Sequence, residues 1–115
     1  MWTAYQTEKS IEITSFYSMF EVTYESGYFF AGETHDFWEM LYVIDGEVCV
    51  SADERVFYLG KDDVIFHKPM ELHKFHVEQG KRVTVLIMSF SAVGILTKQL
   101  EYSVLHLSDI LAIVE

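Results

Sequence analysis

Apolar and polar residues alternate along this chain in short runs with a period of two, and helical periodicity is nearly absent before residue 90. Runs rich in β-branched and aromatic residues predict strands at Glu12–Tyr17, Met19–Glu25, Tyr28–Ala31, Phe37–Ile44 and Glu47–Ser51. Four more follow at Arg55–Leu59, Asp63–His67, His73–Glu78 and Arg82–Phe90. Turn chemistry separates them at Ser26-Gly27, Asp45-Gly46, Ala52-Asp53-Glu54, Gly60-Lys61-Asp62, Lys68-Pro69 and Gln79-Gly80-Lys81. Many short strands at this spacing predict an all-β sandwich or barrel. Asp45-Gly46 predicts a tight hairpin joining Met40–Ile44 to Glu47–Ser51. Gln79-Gly80-Lys81 predicts a second, joining His73–Glu78 to Arg82–Phe90. The stretch RVTVLIMSF at Arg82–Phe90 is apolar on both faces, which suits a strand with core on one side and a partner or helix on the other.

The pattern changes after residue 90. Ser91–Gln99 reads as a short helix or turn, and Val104–Leu107 as a brief extended segment. Ser108 is a good N-cap, Asp109 suits the first turn, and Ile110, Leu111, Ile113 and Val114 supply an apolar stripe. A helix of two turns is too short to stand alone. The expected division is therefore a domain over residues 1–107 and, over 108–115, the start of a C-terminal linker helix cut from a longer chain.

Composition narrows the class. With 115 residues, half of them hydrophobic and 16% aromatic, the chain makes one domain with a real core and is not disordered. A formal charge of −10, with only eight Lys and Arg, argues against direct contact with nucleic acid or an anionic membrane. The longest apolar runs are broken by charge well short of a membrane span, and the first residues lack the basic-then-apolar pattern expected of a signal peptide. Cys49 is alone, so no internal disulfide forms, and it alternates with Val48 and Val50 as a small strand residue. These features predict a cytoplasmic protein.

Chemistry concentrates in Gly27–Gly46, GYFFAGETHDFWEMLYVIDG. In an extended strand Glu33, His35 and Glu39 share parity with Phe37, Leu41 and Val43, so a histidine and two carboxylates would face an apolar interior. A second stretch, GKDDVIFHKPMELH at Gly60–His73, carries His73 behind Pro69. The spacing from Gly27 through Glu33-Thr34-His35 and Glu39 to Gly46 resembles the first cupin motif, with Glu33 where His is usual. Gly60–His73 resembles the second. The wording HDFWEMLYVIDGE and the later Pro-x-Glu-Leu-His are similar to the N-terminal sensor domains of AraC-type transcription regulators, over residues 20–90. The tail SVLHLSDIL is similar to the segment that leads there into the linker helix.

The resemblance implies a cupin-type double-stranded β-helix, or jelly-roll barrel, with a short C-terminal helical segment. It also implies ligand-binding positions at Glu33, His35, Phe37, Glu39 and His73. In metal-bearing cupins the ligands correspond to Glu33, His35, Glu39 and His73, a set that suits Zn, Fe, Ni or Mn better than Ca. For His35, Glu39 and His73 three readings stand side by side: pocket lining, metal ligands, or hydrogen-bonded structural residues. His67 and His76 read as structural or exposed, and His106 as incidental. Trp38 and Tyr42 have the opposite parity to Glu39 and are expected on an outer packing or dimer face.

Two functions follow as expectations. The first is the effector-binding and dimerisation domain of an AraC-type transcriptional regulator, lacking its DNA-binding helix-turn-helix. The second is a stand-alone metal-dependent cupin enzyme of dioxygenase or isomerase type. Glu33 and Glu39 would make the pocket favour a sugar-like or cationic effector over an anion. The two-faced strand Arg82–Phe90 and the apolar C-terminal stripe predict a homodimer.

Overall fold

The computed structural model describes residues 11–94 and 97–107. Among these the chain runs β1 (Glu12–Tyr24), β2 (Phe29–Glu33), β3 (Trp38–Ala52), β4 (Arg55–Gly60), β5 (Asp63–His67), β6 (His73–His76), β7 (Val83–Val93), the single turn α1 (Thr97–Leu100) and β8 (Val104–His106). The described residues are all-β, with the short helical turn α1 between β7 and β8. Residues 108–115, where the linker helix is expected, lie outside the described residues.

One sheet has the order β1-β7-β3-β5-β8, and β2, β6, the second half of β3 and β4 form the other. The strand β3 serves both. From Trp38 to Gly46 it pairs with β7 and, over Glu39–Tyr42, with β5. From Glu47 it pairs with β4 and from Cys49 also with β6. Branched side chains from both sheets, among them Leu41, Val43, Val50, Ile65, Val83 and Val85, close into one buried core. Such residues fit a pleated surface covered on the inner face.

Neither expected hairpin forms, and both departures have a physical cause. At Asp45-Gly46 the chain does not turn back: it bulges, with Val43 opposite Val85 but Asp45 opposite Thr84. The extra residue, Ile44, flips the parity of everything after it. Leu41 and Val43 face the core before the bulge, and Val48 and Val50 face it afterwards. Gly46 permits this, because its φ is +86° and a Cβ there would lie 2.0 Å from the Arg82 carbonyl oxygen. The turn around Gly80 likewise joins strands that do not pair. His76 lies beside Phe29 and Cys49, whereas Val83 lies beside Tyr24 and Gly46, so the chain crosses from one sheet to the other. The tight hairpin is instead β3–β4, with Ala52 opposite Arg55 and Asp53 at φ 52°.

β1 is one strand with register irregularities between Ile13 and Ser15 and between Phe16 and Ser18, rather than two strands. It covers the edge of β7, whose Val83, Val85 and Ile87 face inward while Leu86 and Met88 are half-buried. β1 itself bears exposed apolar side chains at Ile13, Phe16, Tyr17, Met19 and Phe20. Trp38, expected outside, is buried, and half-buried Tyr42 donates its hydroxyl to Asp62 at 2.6 Å.

Candidate metal and effector site

Glu33 ends β2, His35 lies in the link that follows, Glu39 is the second residue of β3, and His73 opens β6. They do not share one continuous strand, because residues 34–37 leave the extended conformation. Sheet pairing brings them together nonetheless. Glu33 is paired with His73 across β2–β6, and one donor atom from each of the four lies within 4.8 Å of the others.

The imidazoles are held by the backbone. A carbonyl can only accept, so His35 Nδ1 carries the hydrogen it donates to the Phe37 carbonyl at 2.8 Å. By the same reasoning His73 Nδ1 donates to the Glu71 carbonyl at 3.2 Å. In both rings Nε2 is left to face the cluster. His35 Nε2 is 3.8 Å from Glu33 Oε1 and 3.7 Å from Glu39 Oε1. His73 Nε2 is 3.4 Å from Glu33 Oε1 and 3.4 Å from Glu39 Oε2.

The loop between β5 and β6 locks this arrangement. Met70 N donates to the His35 carbonyl at 2.6 Å, with Met70 itself at φ 67°. Asp53 holds the segment just before His73: its backbone N donates to the Leu72 carbonyl at 2.8 Å, and its carboxylate accepts from Leu72 N at 3.0 Å.

Burial is graded across the site. The His73 side chain is 3% exposed and those of His35 and Glu39 13% each, while that of Glu33, at 48%, meets solvent. Burial is the main cause that holds the His73 imidazole below its ordinary value, and the charge of nearby His67 adds to it. His73 Nε2 lies within hydrogen-bond reach of Glu33 Oε1, and as near to Glu39 Oε2. Phe37 stacks flat on His35, with centroids 3.9 Å apart, and Tyr17 packs on Phe37 at 5.0 Å while its hydroxyl bonds Ser91. Farther in, Tyr24 and Phe30 flank Phe75 at 5.1 and 5.3 Å and give the barrel an aromatic wall.

The structure therefore brings together Glu33, His35, Glu39 and His73, with Phe37 against His35. It also adds residues the sequence did not point to. His67, read as structural or exposed, is buried with Glu71 immediately behind His73: Nδ1 of His67 lies 2.5 Å from Glu71 Oε2, and the His67 and His73 rings stack at 4.5 Å. The signal was present in the spacing His67, Glu71, His73 around Pro69, but nothing in a strand pattern shows a loop folding a carboxylate inward. His76 is half-buried on the outer side of its sheet, and His106 bonds Asp63 at 2.9 Å.

A groove of about 200 Å³ outside the barrel is lined by Glu47, Cys49, Tyr58, Glu78 and Lys81. Lys81 is paired there with Glu47 at 2.6 Å, so the convergent set of donors is the one at Glu33 and His73.

The AraC-like ligand binding domain family matches residues 19–107. No curated protein matches the chain. Among solved structures, the cupin domain of Cnp3 from Schizosaccharomyces pombe is similar at TM-score 0.61 and 11% identity, covering 75% of this chain and 64% of that one. A cupin-like protein from Thermotoga maritima gives 0.60 and 18%, covering 74% and 73%. The lyase DddQ from Ruegeria pomeroyi gives 0.59 and 17%, covering 68% of this chain. The chain spans 42% of that lyase. At these identities the likeness establishes a fold, and that fold is the cupin barrel.

Proposed function

Because the chain belongs to the family of AraC-like ligand-binding domains, we propose that it is the effector-sensing module of an AraC-type transcriptional regulator. The module takes its effector at the mouth formed by Glu33, His35, Phe37, Glu39 and His73. The observation that carries this reading is the convergence of two imidazole nitrogens and two carboxylates beneath an aromatic cap. Paired carboxylates repel anions and attract cations or hydroxyl donors, and Phe37 and Tyr17 offer faces on which a sugar ring or a cation can stack. A sugar-like or cationic effector is the class this chemistry favours. A thermal-shift series with sugars and amines against organic acids tests it. Stabilisation by sugars or amines supports the reading, and stabilisation by acids alone overturns it.

The cluster also fits a divalent transition metal (Zn, Fe, Ni or Mn). His35 Nε2 is buried without a hydrogen-bond partner, and His73 Nε2 faces two carboxylate oxygens at 3.4 Å. Acceptors gathered against acceptors need a proton or a cation between them. Glu33, His35, Glu39 and His73 would hold the ion, which would supply Lewis-acid chemistry or an anchor for an oxygen-bearing effector. This donor set is what favours the second reading, a metal-dependent cupin enzyme. Metal analysis of protein purified without chelator separates the two. Under about a tenth of an equivalent, with none gained on reconstitution, removes the enzyme reading.

The acidic chain makes no direct contact with nucleic acid, works in the cytoplasm, and leaves DNA binding to a separate helix-turn-helix domain. Among the described residues no helix is long and apolar enough to cross a membrane. Self-association is supported by the bare apolar side chains on edge strand β1, and light scattering across concentrations checks it. A monomer at every concentration rejects it.

A further inference from the structure

Behind the site lies a polar group that the effector and metal readings do not use. Glu71 and His67 are each 1% exposed and His73 is 2% exposed. An ionised carboxylate can only accept, so His67 Nδ1 carries the hydrogen of its 2.5 Å bond to Glu71 Oε2. That bond fixes the rotation of the His67 ring. The ring then lies against the face of His73, centroids 4.5 Å apart and planes 14° apart. Glu71 also reaches His73 directly, because its backbone carbonyl takes the Nδ1 hydrogen at 3.2 Å. One residue thus holds both histidines, its side chain on one and its main chain on the other. The register supports the same geometry, since His67 on β5 is the partner of Glu39 on β3.

A purely structural polar pair would leave neither partner with an unmet atom, and an apolar pair would fill the space at lower cost. Glu71 Oε1 is buried with no hydrogen-bond partner. Nor is this trio a second cation site, because His67 Nδ1 and Glu71 Oε2 are engaged with one another at hydrogen-bond distance. We propose that Glu71 and His67 are positioning residues: together they clamp the His73 ring and present its Nε2 to a divalent cation held with Glu33, His35 and Glu39. The proposal rests on the metal reading above, and its test separates the two.

The experiment uses the full chain, labelled with ¹⁵N and freed of metal. Long-range ¹H–¹⁵N correlation reports which nitrogen of His73 carries hydrogen, and a Co²⁺ titration reports affinity and the visible spectrum of the bound ion. Wild type is expected to show His73 as the single Nδ1–H form. Glu71→Ala keeps the main-chain carbonyl that takes the Nδ1 hydrogen but frees the His67 ring, and is expected to give shifted or broadened His73 ring signals, an altered Co²⁺ spectrum and roughly 10- to 100-fold weaker binding. Glu71→Gln, which keeps an acceptor for His67, restores all three. Should Glu71→Ala not fold, the double change His67→Leu with Glu71→Leu removes the pair without leaving a buried charge, and the same losses are expected. A variant that folds without the clamp yet keeps the wild-type His73 signals and the wild-type Co²⁺ affinity and spectrum overturns the proposal. If wild type takes up no Co²⁺, the metal reading fails, and the His73 signals alone decide the clamp: changed in the variant they support it, unchanged they reject it.

Discussion

Replacing Gly46 by Ala tests the junction on which both sheets depend. The added methyl meets two obstacles. A side chain at φ +86° is in the left-handed region, which costs about 1–2 kcal/mol. The methyl would also sit 2.0 Å from the Arg82 carbonyl oxygen, which belongs to backbone and cannot swing aside. That same oxygen accepts the Glu47 amide at 3.1 Å, so moving it sacrifices a bond of about 1 kcal/mol and strains the pairing of β3 with β7. Together these give a loss of about 4 kcal/mol, a large share of the stability of a small domain. In a domain of this size that lowers Tm by about 15 °C. Urea unfolding followed by circular dichroism measures it, with Gly60→Ala as the control, since a Cβ at Gly60 meets nothing within 4 Å. If Gly46→Ala lies within about 1 kcal/mol of wild type, the bulge does not set the parity of β3 as described.

Other predictions concern the core, the site and the thiol. Leu41→Ala, at a side chain 1% exposed in the centre of the core, should cost about 2–5 kcal/mol in urea unfolding, and a loss under 1 would contradict its packing. With chelator present, the depressed His73 imidazole binds protons less readily in the folded chain than in the unfolded one. Its contribution is therefore complete above the unfolded value of about 6.5 and declines as pH falls through the folded value. The urea midpoint should drop as pH falls below about 6.5, less steeply in His73→Phe; equal slopes would exclude His73 as the cause. Burial raises the Cys49 thiol, so alkylation of native protein at pH 8 should be slow and should accelerate sharply in denaturant, whereas equal rates would contradict its placement.

Much of the architecture can be read from the chain because the responsible signals are local. Alternating branched residues mark the strands, and the spacing of Glu33, His35, Glu39 and His73 marks the candidate site. These residues do meet, although through β2, a link, β3 and β6 rather than along one strand. Side-chain type and period carry the all-β class and the positions of most strands, and they single out Glu33, His35, Glu39 and His73 as candidates that the fold clusters. Which strands pair is a long-range outcome that no local pattern carries. Asp45-Gly46 and Gln79-Gly80-Lys81 satisfy the local chemistry of turns, yet one is a bulge that carries β3 from sheet to sheet and the other a crossing between sheets. Only the tertiary structure places His67 and Glu71 behind His73, because a loop folds inward only where the strands around it leave a place for a buried polar pair. Periodicity reports which face a residue can take; long-range pairing selects the neighbour it meets there.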